Sequence, residues 1–137
     1  MEKKHVNVSY TSIVTLRILV SLIFIVASIN HLFQTEKAVA RMGKANLGEL
    51  GTLLGTPEVA VIVSGVIMLI FGLLLAIGIK TRLSAMILIV VLIPITITVQ
   101  LGQMETIGPL FKNIAIMGGL LFFILNKNMK PTIKQVK

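Results

Sequence analysis

The sequence lacks the residues on which thiol and metal chemistry most often depends. It contains no cysteine, so disulfides, thiol relays and thiolate metal sites carried by this chain are excluded. Its two histidines, His5 and His31, lie far apart and do not have the spacing of metal ligands. No motif predicts a bound metal or flavin, so any redox chemistry would need electrons from a partner.

Charged residues are also scarce. They make up 13% of the 137 residues, where soluble domains carry roughly 25%. The mean hydropathy is +0.98. The net charge of +8 does not indicate a nucleic-acid partner, because no basic stripe with interleaved aromatic residues is present. The composition instead predicts one membrane domain over residues 1–137, with the lipid bilayer as its surroundings.

Four long apolar runs fill most of the chain. A helix needs about 20 apolar residues to cross a hydrocarbon core of about 30 Å. The runs predict an all-α fold, a transmembrane four-helix bundle with helices at residues 11–33, 57–79, 83–103 and 109–126. The connection at residues 34–56 is predicted to form a loop or a short interfacial helix near residues 36–42, which Thr35 would cap.

The distribution of charge predicts the orientation. An even number of spans places both termini on one side, together with eight basic residues and the single acid Glu2. The opposite side has four basic and four acidic residues. The positive-inside rule therefore predicts cytoplasmic termini in a multi-pass protein of the cell (inner) membrane.

Polar residues of three predicted helices fall near the outer end of the bundle. Ionisable groups within a membrane usually face the bundle interior, so these side chains predict an outer-leaflet ligand pocket. The candidate ligand-binding residues are His31, Gln100, Gln103, Lys112 and Asn113. The alternative is that they only hydrogen-bond the helices to each other or meet interfacial water. No catalytic residue is identified, and whether the protein is an enzyme stays open.

Two arginines lie near the cytoplasmic ends of the predicted helices. Arg17 shares one face of the first helix with Ser21, Ser28 and His31. Arg82 belongs to a very short turn, which makes the second and third helices antiparallel neighbours. Both arginines are predicted to contact lipid headgroups or to have a structural role.

The order of these features resembles a known family. The matching segments are residues 16–32, 72–85 and 112–121. The most specific parts are a Gly-x-x-Thr-Arg turn that begins at Gly78 and a Lys-Asn…Gly-Gly pattern that begins at Lys112. Together they resemble the DoxX family of small bacterial four-helix membrane proteins. Many relatives have an acidic residue early in the second helix, whereas none follows Glu58 here, and this weakens an enzymatic interpretation.

The resemblance implies a link to redox complexes, because the family is named after a subunit of a thiosulfate:quinone oxidoreductase. We expect an accessory or quinone-contacting subunit of a redox-linked membrane complex, with another membrane or membrane-associated protein as partner. Quinone is the expected ligand. His31 or Lys112 would donate a hydrogen bond to a quinone carbonyl, and Gln100 would orient the ring.

Two other functions remain open. The protein could be a non-catalytic scaffold or assembly subunit that docks through faces of small residues, such as Gly65 and Gly72 or Ala115 and Gly119. It could also transport a small solute or lipid as a homo-oligomer. The two halves show none of the symmetry of inverted-repeat transporters.

Overall fold

A computed structural model describes residues 8–45, 55–100 and 107–126, which form five helices. They are α1 (Tyr10–Phe33), α2 (Thr35–Lys44), α3 (Pro57–Ile77), α4 (Thr81–Gln100) and α5 (Ile107–Leu125). All except α2 are long and apolar enough to cross a membrane. The predicted transmembrane four-helix bundle is therefore confirmed, and so is the short helix between the first two spans.

Local sequence explains where the spans begin. The Ser9 hydroxyl accepts a hydrogen bond from the Ser12 N–H at 3.1 Å and caps α1. Thr56 caps α3 in the same way, and Pro57 occupies the first turn, where its missing N–H costs no helical hydrogen bond. In α5, Pro109 is likewise tolerated in the first turn.

The connection between α3 and α4 depends on Gly78. Its φ of 88° lies in the left-handed region, which glycine adopts without strain. The N–H groups of Gly78 and Ile79 both donate to the Leu74 carbonyl, at 3.0 and 2.9 Å, and this ends α3. The Arg17 guanidinium packs directly on Gly78, where a Cβ atom would overlap it. Glycine is thus favoured here mainly by the backbone.

The two halves of the bundle differ. We call the half that contains the α3–α4 connection the turn end, and the half that contains α2 the α2 end. The turn end holds the tightest packing, with side chains that are 0% exposed: Leu75, Ala85, Leu88 and Leu120. The most extensive helix contact is between α1 and α3, followed by α4 with α5 and α3 with α4.

At the α2 end, α2 lies across the bundle. It contacts α3 most, and α1 and α4 less. Met42 is its buried residue, while Lys37 and Arg41 are exposed. This placement brings Lys37 and Arg41 of α2 next to the space that the four spans enclose.

Candidate ligand-binding site

A cavity of about 660 Å³ opens at the α2 end and is lined by residues from all five helices. Its volume falls within the range of about 300–1,000 Å³ that is typical of small-molecule sites. Four of the five residues predicted from the sequence line it: His31, Gln100, Lys112 and Asn113. The fifth, Gln103, lies outside the described residues.

His31 is held by a hydrogen bond to α3. Its Nδ1 lies 3.0 Å from the Ser64 hydroxyl oxygen, and that hydroxyl donates to the Val61 carbonyl at 2.8 Å. Since a hydroxyl has one hydrogen, Ser64 accepts from His31, which places the imidazole proton on Nδ1. The network thus leaves Nε2, the other nitrogen of neutral His31, as an acceptor. The donor role predicted for His31 or Lys112 toward a quinone carbonyl stays a prediction.

The α1–α3 approach that permits this bond depends on Gly65, which follows Ser64. A Cβ atom on Gly65 would lie 3.0 Å from the His31 Cβ and 3.2 Å from the Leu32 side chain. Contacts this short require the neighbouring side chains of α1 to shift by a few tenths of an ångström. A small residue therefore positions the histidine.

Asn113 links α5 to α4. Its Nδ2 donates to the Thr96 hydroxyl oxygen at 2.9 Å, and the Thr96 hydroxyl donates to the Leu92 carbonyl at 2.7 Å. Asn113 and Thr96 are both buried, at 5% exposed. This hydrogen bond joins two helices, as the alternative interpretation of the polar residues expects for this pair.

Lys112 and Gln100 complete the polar lining. Lys112 is exposed in the first half of α5, and Gln100 is half-buried at the last residue of α4. Between these groups the wall is apolar, with Ile67, Met68 and Ile95 among its residues. Polar groups therefore sit at one end of a mainly apolar space.

Pro94 leaves the backbone carbonyl of Val90 as a further hydrogen-bond acceptor. It lies inside α4 and has no N–H, so it cannot make the helical hydrogen bond to the carbonyl of Val90. Val90 and Pro94 both line the cavity and are both exposed, as is Val63 of α3. These exposed lining residues place an opening of the cavity at its α3–α4 edge.

Sequence reasoning missed several lining residues. Lys37 and Arg41 on α2, Ser64 on α3 and Thr98 on α4 all line the cavity. The i, i+4 spacing of Lys37 and Arg41 puts them on one face of α2, but nothing in the sequence indicates that α2 lies over the spans. Ser64 was one of many small residues in an apolar helix.

The two arginines lie at the turn end, away from the cavity. Arg17 is half-buried against Gly78, and no described residue accepts a hydrogen bond from its buried Nε. Arg82 is exposed in the first turn of α4. A structural role for Arg17 agrees with this packing, and contact of either with lipid headgroups stays a prediction. No group of three or more His, Asp or Glu side chains that could hold a metal ion occurs within residues 8–45, 55–100 and 107–126.

The comparison with known families identifies the chain. The DoxX family model matches residues 12–101, which include α1 to α4 and more than half of the sequence. The chain belongs to the DoxX family. The match contains His31, Gly78 and Gln100, whereas Lys112 and Asn113 on α5 lie beyond it. No curated protein and no solved structure matches the chain at a significant level.

Proposed function

We propose that this DoxX-family protein is a quinone-contacting accessory subunit of a redox-linked membrane complex, and that the cavity at the α2 end holds the quinone head. One observation supports this most strongly. Hydrogen-bond donors and acceptors from α1, α4 and α5 meet in a mainly apolar cavity, and some of its apolar lining residues are exposed. A lipophilic molecule with a polar ring needs such surroundings.

The polar groups suit both oxidation states of a quinone. A quinone has carbonyl oxygens that accept hydrogen bonds, and Lys112 is a donor without acceptor capacity. A quinol has hydroxyl groups that donate, and His31 Nε2 and the Val90 carbonyl are acceptors. Gln100 would orient the ring. In this proposal the chain binds and orients the quinone, while a membrane or membrane-associated partner protein supplies the electrons.

The orientation belongs to the same proposal. The excess of basic residues on the side of the termini supports a cytoplasmic turn end, with the cavity in the outer leaflet of the cell membrane. The chain has no cysteine, so single cysteines introduced at Lys44 and Lys80 are clean reporters. An impermeant thiol reagent applied to intact cells should label K44C and leave K80C unlabelled; the reverse pattern would invert the topology.

The scaffold alternative has less support. Gly65 and Gly72 both pack against α1 of the same chain. A Cβ on Gly65 would lie 3.0 Å from the His31 Cβ, and one on Gly72 would lie 3.3 Å from the Ile25 side chain. A Cβ on Gly119 would lie 3.0 Å from Val20. These three glycines therefore bring the spans of one chain together, whereas Ala115 and Gly118 on α5 are exposed.

Quinone retention tests the proposal. The protein is purified in mild detergent and extracted with organic solvent, and the quinone content is measured by chromatography. We expect bound quinone in the wild type and a several-fold loss in His31→Leu and Lys112→Leu. A matched pair of serine variants gives the control. Ser64→Ala removes the hydrogen-bond partner of His31 Nδ1 and should lower the bound quinone. Ser84→Ala removes a buried hydroxyl at the turn end and should retain quinone.

Two results would contradict the proposal. One is the absence of quinone from the wild type together with an unchanged melting temperature when a short-chain quinone is added. The other is an equal loss of quinone in Ser64→Ala and Ser84→Ala, which would indicate general destabilisation.

A further inference from the structure

Three cations surround the mouth of the cavity. Lys37 and Arg41 extend from α2 and Lys112 from α5, and all three line the cavity. The acids among the described residues, Glu36 and Glu58, do not line it. The described lining of the cavity therefore carries positive charge only.

These cations are not neutralised by described neighbours. Lys37 donates to the Gln34 side-chain oxygen at 3.1 Å, which is a neutral partner. No described carboxylate forms an ion pair with Arg41 or Lys112. A cleft lined by charges of one sign, with walls of low dielectric constant, focuses their field at its opening. The mouth should therefore attract an anion more strongly than an exposed lysine elsewhere on the protein.

The wall below the mouth has the opposite character. It is formed by apolar side chains such as Ile67, Val91 and Ile116, and it includes the exposed side chains of Val63 and Val90. A free inorganic anion would gain nothing from this apolar part. A molecule with an acidic head and a hydrocarbon chain would use both, with the head at the cations and the chain along the wall.

We propose that the cavity binds an anionic amphiphile, an acyl chain with a carboxylate or phosphate head, at Lys37, Arg41 and Lys112. The inference rests on the proposed function only in treating the cavity as a ligand site. It goes beyond that function in the charge of the ligand, since a neutral quinone would not need Lys37 and Arg41.

A matched pair of ligands tests the role of the head. Laurate and dodecanol share a twelve-carbon chain and differ in the charge of the head. Radiolabelled forms of each are titrated, below their micellar concentrations, into the full chain in nanodiscs of phosphatidylcholine, with empty nanodiscs subtracted. We expect saturable binding of laurate that is roughly fivefold to twentyfold tighter than binding of dodecanol, as one or two partly screened charge contacts would give.

A matched pair of variants tests the role of the cations. Lys37→Gln with Arg41→Gln removes two charges at the mouth, and Lys80→Gln with Arg82→Gln removes two exposed charges at the turn end. The first variant should lose most of the preference for laurate, and the second should keep it. An equal affinity for the two ligands in the wild type would overturn the inference. So would the same loss in both variants.

Two further arms identify the source of the ligand and separate this inference from the quinone proposal. If added phosphatidylglycerol displaces laurate, the anion comes from bilayer lipid; if laurate remains bound, the anion is a free single-chain acid.

Quinone extracted from the same wild-type preparation is an independent readout. Retained quinone without a preference for laurate would overturn only the present inference. A preference for laurate without quinone would overturn only the proposed function.

Discussion

The turn end and the α2 end use the same four spans in different ways. At the turn end, Leu75, Leu88 and Leu120 are fully buried and glycine ends α3. At the α2 end, a cavity of about 660 Å³ separates the spans, and hydrogen bonds connect them around it. Lipid tails are as apolar as leucine, so close packing holds the first end together. The second end keeps polar groups oriented around open space.

The largest expected effect comes from removing core volume at the turn end. Leu120→Ala should destabilise the bundle by about 2–3 kcal/mol, because neighbouring side chains lose contacts and a new void forms. Leu92→Ala is the matched control, since Leu92 already lines the cavity and should cost about half as much. Unfolding by SDS in mixed micelles measures both. Equal costs would show that the two ends are packed alike.

The next largest effect distinguishes a glycine that is packed against a neighbouring helix from one that is not. Gly65→Ala should cost about 2 kcal/mol, because the new Cβ forces the neighbouring side chains of α1 to shift. It should also break the bond between His31 and Ser64. Gly118→Ala is the control within a span, as no atom lies within 4 Å of its Cβ position. Melting temperatures in detergent should fall for the first variant only. A fall in both would mean that Gly118 packs against something else.

A smaller effect is expected at the turn. Gly78→Ala should cost about 1–2 kcal/mol, because a non-glycine residue resists the left-handed backbone. The Arg17 side chain is long and can move away, so the overlap itself adds little. Gly55→Ala, also at positive φ but open to its surroundings, isolates the backbone term. If Gly78→Ala costs far more than Gly55→Ala, the Arg17 contact matters more than the backbone.

The smallest effect concerns the Asn113–Thr96 bond. Buried hydrogen bonds between membrane helices contribute about 0.6 kcal/mol on average, so Asn113→Leu should be mild. A double-mutant cycle with Thr96→Val isolates the pair. We expect a coupling energy of similar size, measured by the same SDS titration. Coupling near zero would show that the two side chains do not bond in the membrane.

The sequence predicted the elements better than their arrangement. The four spans follow from length and hydropathy, and α2 follows from the amphipathic residues after Gln34. The predicted capping role of Thr35 is wrong, because Thr35 is the first residue of α2 and its hydroxyl donates to the His31 carbonyl at 2.8 Å. His31, Gln100, Lys112 and Asn113 could be placed at one end of the bundle because alternating helices bring these positions to the same depth. The depth of a residue along the bundle does not tell which residues of the other helices it faces. The sequence therefore missed that α2 carries Lys37 and Arg41 over the cavity.

Hydrogen-bond roles were equally beyond sequence reasoning. The direction in which His31 donates depends on Ser64, and Ser64 in turn depends on the Val61 carbonyl. Only the three-dimensional contact fixes this chain of donors and acceptors. Gln103, which was predicted to join the cavity, lies outside the described residues, and its contribution stays a prediction.

The exposed edge at Val63, Val90 and Pro94 has a consequence for pharmacology. A molecule that reaches the cavity by this edge arrives from the hydrocarbon phase, where its concentration equals its aqueous concentration multiplied by its membrane partition coefficient. Potency in a series of inhibitors should therefore track lipophilicity at constant head chemistry, and apparent affinity should change with the ratio of lipid to protein in the assay.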